Sequence, residues 1–255
     1  MSVERFIRLD LAEEGRLARL DIHLPPVNVL GVADLDELTR RVEAAAGASV
    51  LVLSGLPRAF SAGFEMADHV PEHRAIERML AALGAALAAL IESRAVTIAS
   101  VSGACLGGGA EIAAACDMVL AAEDARIGFP EIRLGCFPPA AAVLLPSRIG
   151  ETRAFEWILS GKTYSGTEAV AAGFATRAIP AASLARETLR VAGELLSRDS
   201  TALDAARGLL RRSRREALAL GLPRAEDAYR KLEGSEALRK AVEGFKAEKS
   251  PSRSS

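Results

Sequence analysis

Apolar and charged residues alternate at the start of the chain, in Phe6-Ile7-Arg8-Leu9 and again in Leu17-Ala18-Arg19-Leu20-Asp21-Ile22 after a turn at Gly15. A period of two is that of a strand with one buried face, so two strands are expected here. Pro25-Pro26 breaks the pattern, and the period then changes. Leu35, Leu38 and Val42 recur at helical spacing and predict a helix over 33–46. The run Ser49-Val50-Leu51-Val52-Leu53 reads as a short buried strand closed by Gly55 and Pro57. A loop with Phe60-Ser61-Ala62-Gly63-Phe64 follows, then a long helical pattern over 72–93. A strand at Val96-Thr97-Ile98-Ala99-Ser100-Val101 leads through a glycine-rich turn to a helix reaching Ala115, and Met118-Val119-Leu120-Ala121 is the next strand. Strands alternating with helices predict an α/β core paired mainly in parallel. From Leu184 onward the pattern is almost wholly helical, over 184–196, 202–220 and 225–246, with Gly221 and Pro223 separating the last two. We therefore expect a core over 1–199 and a helical region over 200–255. Its apolar faces suit an oligomerisation surface or packing on the chain's own core. The end, Ser250-Pro251-Ser252-Arg253-Ser254-Ser255, has the composition of a disordered tail.

Composition narrows the class. A chain of 255 residues is long enough for one domain with a full core. A net charge of −1 gives no general attraction to nucleic acid or an anionic membrane. The longest apolar run, 79–91, is too short to span a bilayer. Met1-Ser2-Val3-Glu4-Arg5 is charged and lacks the apolar stretch of a secretion signal, and the expectation is a cytoplasmic protein. Cys105, Cys116 and Cys136 form no C-x-x-C pair, and their odd number fits reduced, buried thiols. Cys105 lies near the glycine run, yet no neighbouring base marks it as a nucleophile.

The candidate chemistry lies between Gly103 and Pro139. Gly107-Gly108-Gly109-Ala110-Glu111 falls where a strand gives way to a helix, and Glu131 follows in Gly128-Phe129-Pro130-Glu131. Glycines there bare backbone N–H groups at a helix N-terminus, where they can hold a developing oxyanion. Two glutamates nearby can serve as base and acid. Other candidates read as structural. Glu65, Asp68, His69 and His73 would need a helix beginning before Pro71 to align as metal ligands, so no metal is expected. His23 ends a strand, Asp117 suits a strand-start tether, and Trp157 suits the core. Arg211-Arg212-Ser213-Arg214-Arg215 reads as a solvated helix face or a subunit contact.

These residues resemble the crotonase, or enoyl-CoA hydratase/isomerase, superfamily over nearly the whole chain. Phe60–Phe64 is similar to its first oxyanion-hole loop, Gly107–Glu111 to its second, and Gly128-Phe129-Pro130-Glu131-Ile132-Arg133-Leu134-Gly135 to the segment bearing the other glutamate. The separation of the glutamates, 131 − 111 = 20, is that of the hydratases. The resemblance implies a spiral of ββα turns, a C-terminal helical trimerisation region, and a homotrimer or dimer of trimers. It implies an acyl-CoA substrate and no cofactor beyond the coenzyme A of that substrate. The oxyanion hole would be the N–H groups of Phe64 and Gly108, and Glu111 and Glu131 would be catalytic. Ala62, Gly63, Met66, Leu106, Gly107 and Pro139 would line the substrate site, while Lys246 or Lys249 could meet CoA phosphates.

Two departures stand out. The family's usual Leu-Gly-x-x-Pro-Gly-Ala-Gly-Gly is here Leu134-Gly135-Cys136-Phe137-Pro138-Pro139-Ala140-Ala141-Ala142, and Pro139 has no N–H to offer a water. Phe64-Glu65 stands where many members have Ala-Asp. The first variant, with Cys105-Leu106 and with Val242-Glu243-Gly244-Phe245-Lys246-Ala247, is similar to the branch that hydrates cyclohexa-1,5-diene-1-carbonyl-CoA. Rival readings are a Δ3,Δ2-enoyl-CoA isomerase, thioester hydrolysis or carbon–carbon cleavage, and an RNA-binding homologue, which would call for a basic surface. Retention of both glutamates favours hydration.

Overall fold

The structure is a computed structural model that describes residues 4–65, 73–232 and 235–249. Met66, Asp68, His69 and the tail at 250–255 lie outside these residues, as do the side chains of His73, Lys246 and Lys249. The elements follow in chain order as β1 (Phe6–Ala12), β2 (Leu17–His23), β3 (Val29–Leu30), α1 (Val32–Ala44), β4 (Val50–Ser54), β5 (Ala59–Ser61), β6 (Gly63–Phe64), α2 (His73–Glu92), β7 (Val96–Val101), β8 (Ala104–Leu106) and α3 (Gly108–Ala115). Then come β9 (Met118–Ala122), β10 (Arg126–Gly128), α4 (Pro139–Ile149), α5 (Glu151–Ser160), β11 (Thr163–Tyr164), α6 (Gly166–Ala172), β12 (Arg177–Ile179), α7 (Leu184–Leu196), α8 (Ser200–Leu210), α9 (Arg212–Arg230) and α10 (Glu236–Lys249).

From β4 to β10 each turn of the chain sends one strand to a large sheet and a later one to a small sheet, and then a helix follows. The large sheet has the order β1-β2-β4-β7-β9-β12 and the small one β11-β10-β8-β5, with β3-β6 as a separate pair. Among the paired strands of the described residues, β1-β2 and β10-β11 are antiparallel and the others parallel. The two strands expected here, β1 and β2, pair as an antiparallel hairpin. The fully apolar β4 lies inside the sheet between β2 and β7, where both faces are covered. Leu35 and Leu38 of α1 are wholly buried, as the 3.6-residue spacing requires.

The helical end packs on the core of its own chain, with α9 laid along α4 and α2. Its break differs from expectation. Gly221 and Pro223 lie inside α9, and the helical run is interrupted instead at Arg211 and again after Arg230, within the helix expected over 225–246. Gly221 serves a close approach, since a Cβ there would come within 2.8 Å of the Val143 side chain on α4. Leu218 and Leu222 are buried on the same face, and this packing holds α9 through Pro223. At the first break, Arg211 turns inward.

The basic cluster is accordingly not a uniform solvated face. Arg211 is 2% exposed, and its guanidinium grips both oxygens of Asp117 and the carbonyls of Ile91, Ser93 and Ala95. Arg214 binds Asp117 at 2.6 Å and the carbonyls of Ala115 and Cys116. Burial opposes ionisation of Asp117, but the hydrogen bond and charge of Arg211 win and hold its carboxyl below the usual range. Asp117 also accepts from the Thr97 N–H at 2.9 Å, so it tethers the start of β7. Arg212 and Arg215 do face solvent, paired with Glu216 and Glu92. Trp157 is buried and stacks on Tyr164 with ring centroids 4.4 Å apart, while His23 stacks on Phe6 at 4.7 Å. No helix among the described residues is long and apolar enough to cross a membrane.

Candidate active site

The parallel pairing of β8 with β10 sets Leu106 beside Gly128, and the Gly107 N–H donates to the Gly128 carbonyl at 2.9 Å. That register carries Glu131, three residues beyond Gly128, to the N-terminus of α3. Gly107 has φ +52°, a conformation open to glycine. A Cβ there would also come within 2.5 Å of Glu131 Oε1. Each glycine of the run thus abuts a different side chain. A Cβ on Gly108 would come within 2.1 Å of the Phe64 ring, and one on Gly109 within 2.6 Å of Ser61 Cβ. Gly108 opens α3, so its N–H is among those with no carbonyl partner inside the helix.

The loop before Phe64 is pinned from below by Asn28, a residue that its sequence pattern did not mark. Asn28 is wholly buried at φ +52°. Its amide donates to the carbonyls of Ile22, Ala59 and Phe60, and its side-chain oxygen accepts from the Leu24 N–H at 2.7 Å. Ser61 Oγ donates to the Asn28 carbonyl at 2.8 Å and accepts from the Gly63 N–H. The Ala62 N–H is taken by the Val27 carbonyl and the Glu65 N–H by that of Leu30, both at 2.9 Å. Successive N–H groups of a strand point to opposite sides. With Glu65 donating to β3, the Phe64 N–H faces away from β3. A Cβ on Gly63 would lie 3.9 Å from the Gly108 nitrogen, so the loop passes close to the N-terminus of α3.

Glu111, in the first turn of α3, is 1% exposed. Its Oε1 accepts from the N–H groups of Ala140 and Ala141 at 2.8 and 2.9 Å. These are the first free donors of α4, because Pro139 occupies its first position and has none. Burial raises the Glu111 carboxyl, and the two donors pull it part of the way back. Glu131 sits on a short 3-10 turn, Pro130–Leu134. Its Oε2 is buried without a hydrogen-bond partner. Burial raises its carboxyl and the charge of Glu111 raises it further. Negative charge is therefore better stabilised on Glu111, whose Oε1 has two N–H donors, than on Glu131, whose Oε2 has none.

Glu111, Glu131, Phe64, Gly108, Gly107, Gly63, Leu106 and Pro139 are thus brought to one end of α3, with Ala62 at its edge. Ala140, Ala141 and Asn28 escaped the sequence reading. The alanine run after two prolines was the available signal for the first two. The C-terminal end of α3 is fixed by arginines: Arg148 Nη1 donates to the carbonyls of Ala114 and Cys116, both at 2.9 Å. Over the site lies a second apolar cluster of Ile76, Met79, Leu80, Cys136, Tyr229, Leu238 and Val242, against which Phe64 and Phe137 pack. Cys105 is buried and its thiol is pushed far above neutrality, which leaves no thiolate for attack. Among the described residues no group of three or more His, Cys, Asp or Glu side chains could hold a metal ion.

Known proteins carry the same fold and sequence pattern. A 2,3-dehydroadipyl-CoA hydratase of Escherichia coli (strain K12) is 31% identical over 250 residues, 95% of this chain and 97% of that one. A cyclohexa-1,5-dienecarbonyl-CoA hydratase of Thauera aromatica is 36% identical over 166 residues. That match spans 64% of this chain and 63% of the relative, just under two thirds of its length. The crystal structure of an enoyl-CoA hydratase from Mycobacterium avium subsp. paratuberculosis K-10 superposes with a TM-score of 0.83 at 25% identity, covering 97% of this chain and 98% of that one. The human mitochondrial delta3-delta2-enoyl-CoA isomerase shares the fold, with a TM-score of 0.86 at 20% identity over 95% of this chain and 97% of the isomerase. The profile of one family, enoyl-CoA hydratase/isomerase, matches residues 12–253. With that span matched and a full-length relative above 30% identity, the chain is a member of the enoyl-CoA hydratase/isomerase family.

Proposed function

We propose that this protein is an enoyl-CoA hydratase that adds water across the conjugated double bond of an acyl-CoA thioester. The observation that carries the reading is the buried pair Glu111 and Glu131 at the N-terminus of α3, with two N–H donors on Glu111 and an unpartnered oxygen on Glu131. The thioester oxygen would lie between the N–H groups of Phe64 and Gly108. Glu111 takes a proton from water as its oxygen bonds to Cβ. The π electrons move toward the thioester, charge builds on its oxygen, and the two N–H donors stabilise it. One such donor is worth about 3–4 kcal/mol in a measured protease. Glu131 delivers its proton to Cα, and the thioester returns to neutrality. Glu111 is then protonated and Glu131 ionised, and a proton passes back through solvent before the next turnover. Coenzyme A is part of the substrate, and the step needs no further cofactor.

An isomerase needs to move a proton between two carbons of one substrate, for which one carboxylate suffices. Two carboxylates with opposite protonation favour hydration. A cyclic dienoyl-CoA is the finer reading, supported by the Pro139-Ala140-Ala141 turn and by similarity to the Thauera aromatica hydratase. In that turn the α4 donors are spent on Glu111, so the attacking water is held by the carboxyl pair. We also propose a homotrimer or dimer of trimers. Leu209, Leu210 and Leu220 of the helical end stand exposed, and burying them between subunits would favour assembly.

The test is mass spectrometry of products formed in heavy-oxygen water from crotonyl-CoA and from cyclohexa-1,5-diene-1-carbonyl-CoA. Label in the intact thioester is expected with the cyclic diene in excess. Label from crotonyl-CoA alone would reduce the reading to an ordinary enoyl-CoA hydratase, and no label in either would overturn hydration.

A further inference from the structure

The Phe64 side chain has a position that the proposed reaction does not explain. Its backbone N–H is one of the two proposed oxyanion donors, yet its ring reaches across to the other donor residue, Gly108. The ring atoms Cε1, Cε2 and Cζ lie within 2.1–2.4 Å of where a Gly108 Cβ would stand, so the distal edge of the ring rests on the Gly108 Cα. An acyl group whose oxygen lies between these two residues has the phenyl ring as its immediate neighbour. Phe64 packs into the cluster of Ile76, Met79 and Leu80 from α2, Cys136, Tyr229 from α9, and Leu238 and Val242 from α10, each 3% exposed or less. Phe137 closes the same cluster, with its ring centroid 5.6 Å from that of Tyr229.

We propose that the Phe64 ring is the end wall of the acyl pocket and selects compact acyl groups, a short chain or a single ring, over long straight chains. This rests on the acyl-CoA reading of the site. A long chain would have to displace the ring from Gly108 and drive into a cluster that is already filled, and interiors packed to native density do not yield such space cheaply. A flat unsaturated ring, in contrast, can lie against the phenyl face or edge.

The experiment measures binding of saturated acyl-CoAs, which cannot be hydrated, by calorimetry. The series is butyryl-, hexanoyl-, octanoyl-, decanoyl- and cyclohexanecarbonyl-CoA, with wild type, Phe64→Leu and Phe64→Ala. Wild type is expected to bind butyryl- and cyclohexanecarbonyl-CoA and to gain nothing from hexanoyl to decanoyl. Phe64→Ala is expected to gain about fourfold in affinity per added methylene over the space vacated, the equivalent of about 0.8 kcal/mol each. Phe64→Leu, which keeps an apolar side chain in the cluster, should fall between and serves if the alanine variant does not fold. Affinity that rises steadily with chain length in wild type, or the same flat profile in all three proteins, would overturn the proposal. Crotonyl-CoA hydration by wild type is assayed in parallel. Hydration with an unchanged length profile would refute the end wall alone. An altered profile without hydration would refute the hydratase reading and leave the end wall standing.

Discussion

Replacing Glu131 by glutamine tests the electrostatics of the site without any knowledge of its substrate. Glu131 Oε2 is buried with no hydrogen-bond partner, and the Glu111 charge adds to the burial in raising its carboxyl. In the unfolded chain the same group ionises near the ordinary glutamate value. Between these two values the folded state binds more protons than the unfolded one, so stability falls as pH rises. The contribution of the protonated carboxyl is complete below the unfolded pKa and is lost as pH climbs through the folded one. The slope for one such group is about 1.4 kcal/mol per pH unit within that window. For a chain of this size each kcal/mol moves the melting temperature by about 2–4 °C. The Glu131→Gln variant lacks the slope, and its loss of one negative charge also relieves Glu111. Its melting temperature should therefore rise relative to wild type by about 3–6 °C for each pH unit from about pH 5 upward through neutrality. A buried amide costs a constant offset, which does not alter the slope. Differential scanning calorimetry of both proteins at several pH values reads it directly. A difference that stays constant across that range would show that Glu131 ionises normally and would remove the basis for the acid and base roles. Glu111→Gln makes the contrast: Oε1 there accepts two N–H bonds, which an amide oxygen still accepts without the charge, and that weakening opposes the gain.

Other perturbations follow from the same geometry. Gly107→Ala places a Cβ at φ +52° against Glu131 Oε1, so it should lower kcat by about 10²-fold or more through displacement of the acid, with the circular dichroism of the fold retained. Arg211→Met leaves Asp117 buried without its main partner and should cost about 3–5 kcal/mol in urea unfolding. Arg212→Ala, which removes an exposed pair with Glu216, should cost under about 1 kcal/mol in the same assay, and equal losses would contradict the inward turn of the chain at Arg211.

The sequence showed these features unevenly, and the reasons are physical. Period-two alternation in β2, the apolar run of β4 and the helical spacing of Leu35, Leu38 and Val42 are direct consequences of burial, and the structure matches each, whereas Leu11 of β1 stands exposed. The glycine run was legible as a bared helix N-terminus, but not the reason for each glycine. Ser61 and Phe64 from one loop and Glu131 from another reach Gly109, Gly108 and Gly107. The break in the helical end was misplaced because glycine and proline were read by propensity, whereas the packing of Gly221 on Val143 and the inward turn of Arg211 decide it. Ala140 and Ala141 act through backbone N–H groups, which leave no mark in a side-chain pattern. Asn28 resembles any loop asparagine until its four buried hydrogen bonds are seen.

The central claim is that Glu111 and Glu131 act together as base and acid in hydration. The measurement that meets it most directly is the steady-state rate of crotonyl-CoA hydration by wild type, Glu111→Gln, Glu131→Gln and the double variant. General acid–base catalysis predicts a loss of about 10²–10⁴-fold in kcat for each single variant. Groups that act as a unit should leave the double variant little worse than the poorer single one. A single variant that keeps the wild-type rate would contradict the two-carboxylate account.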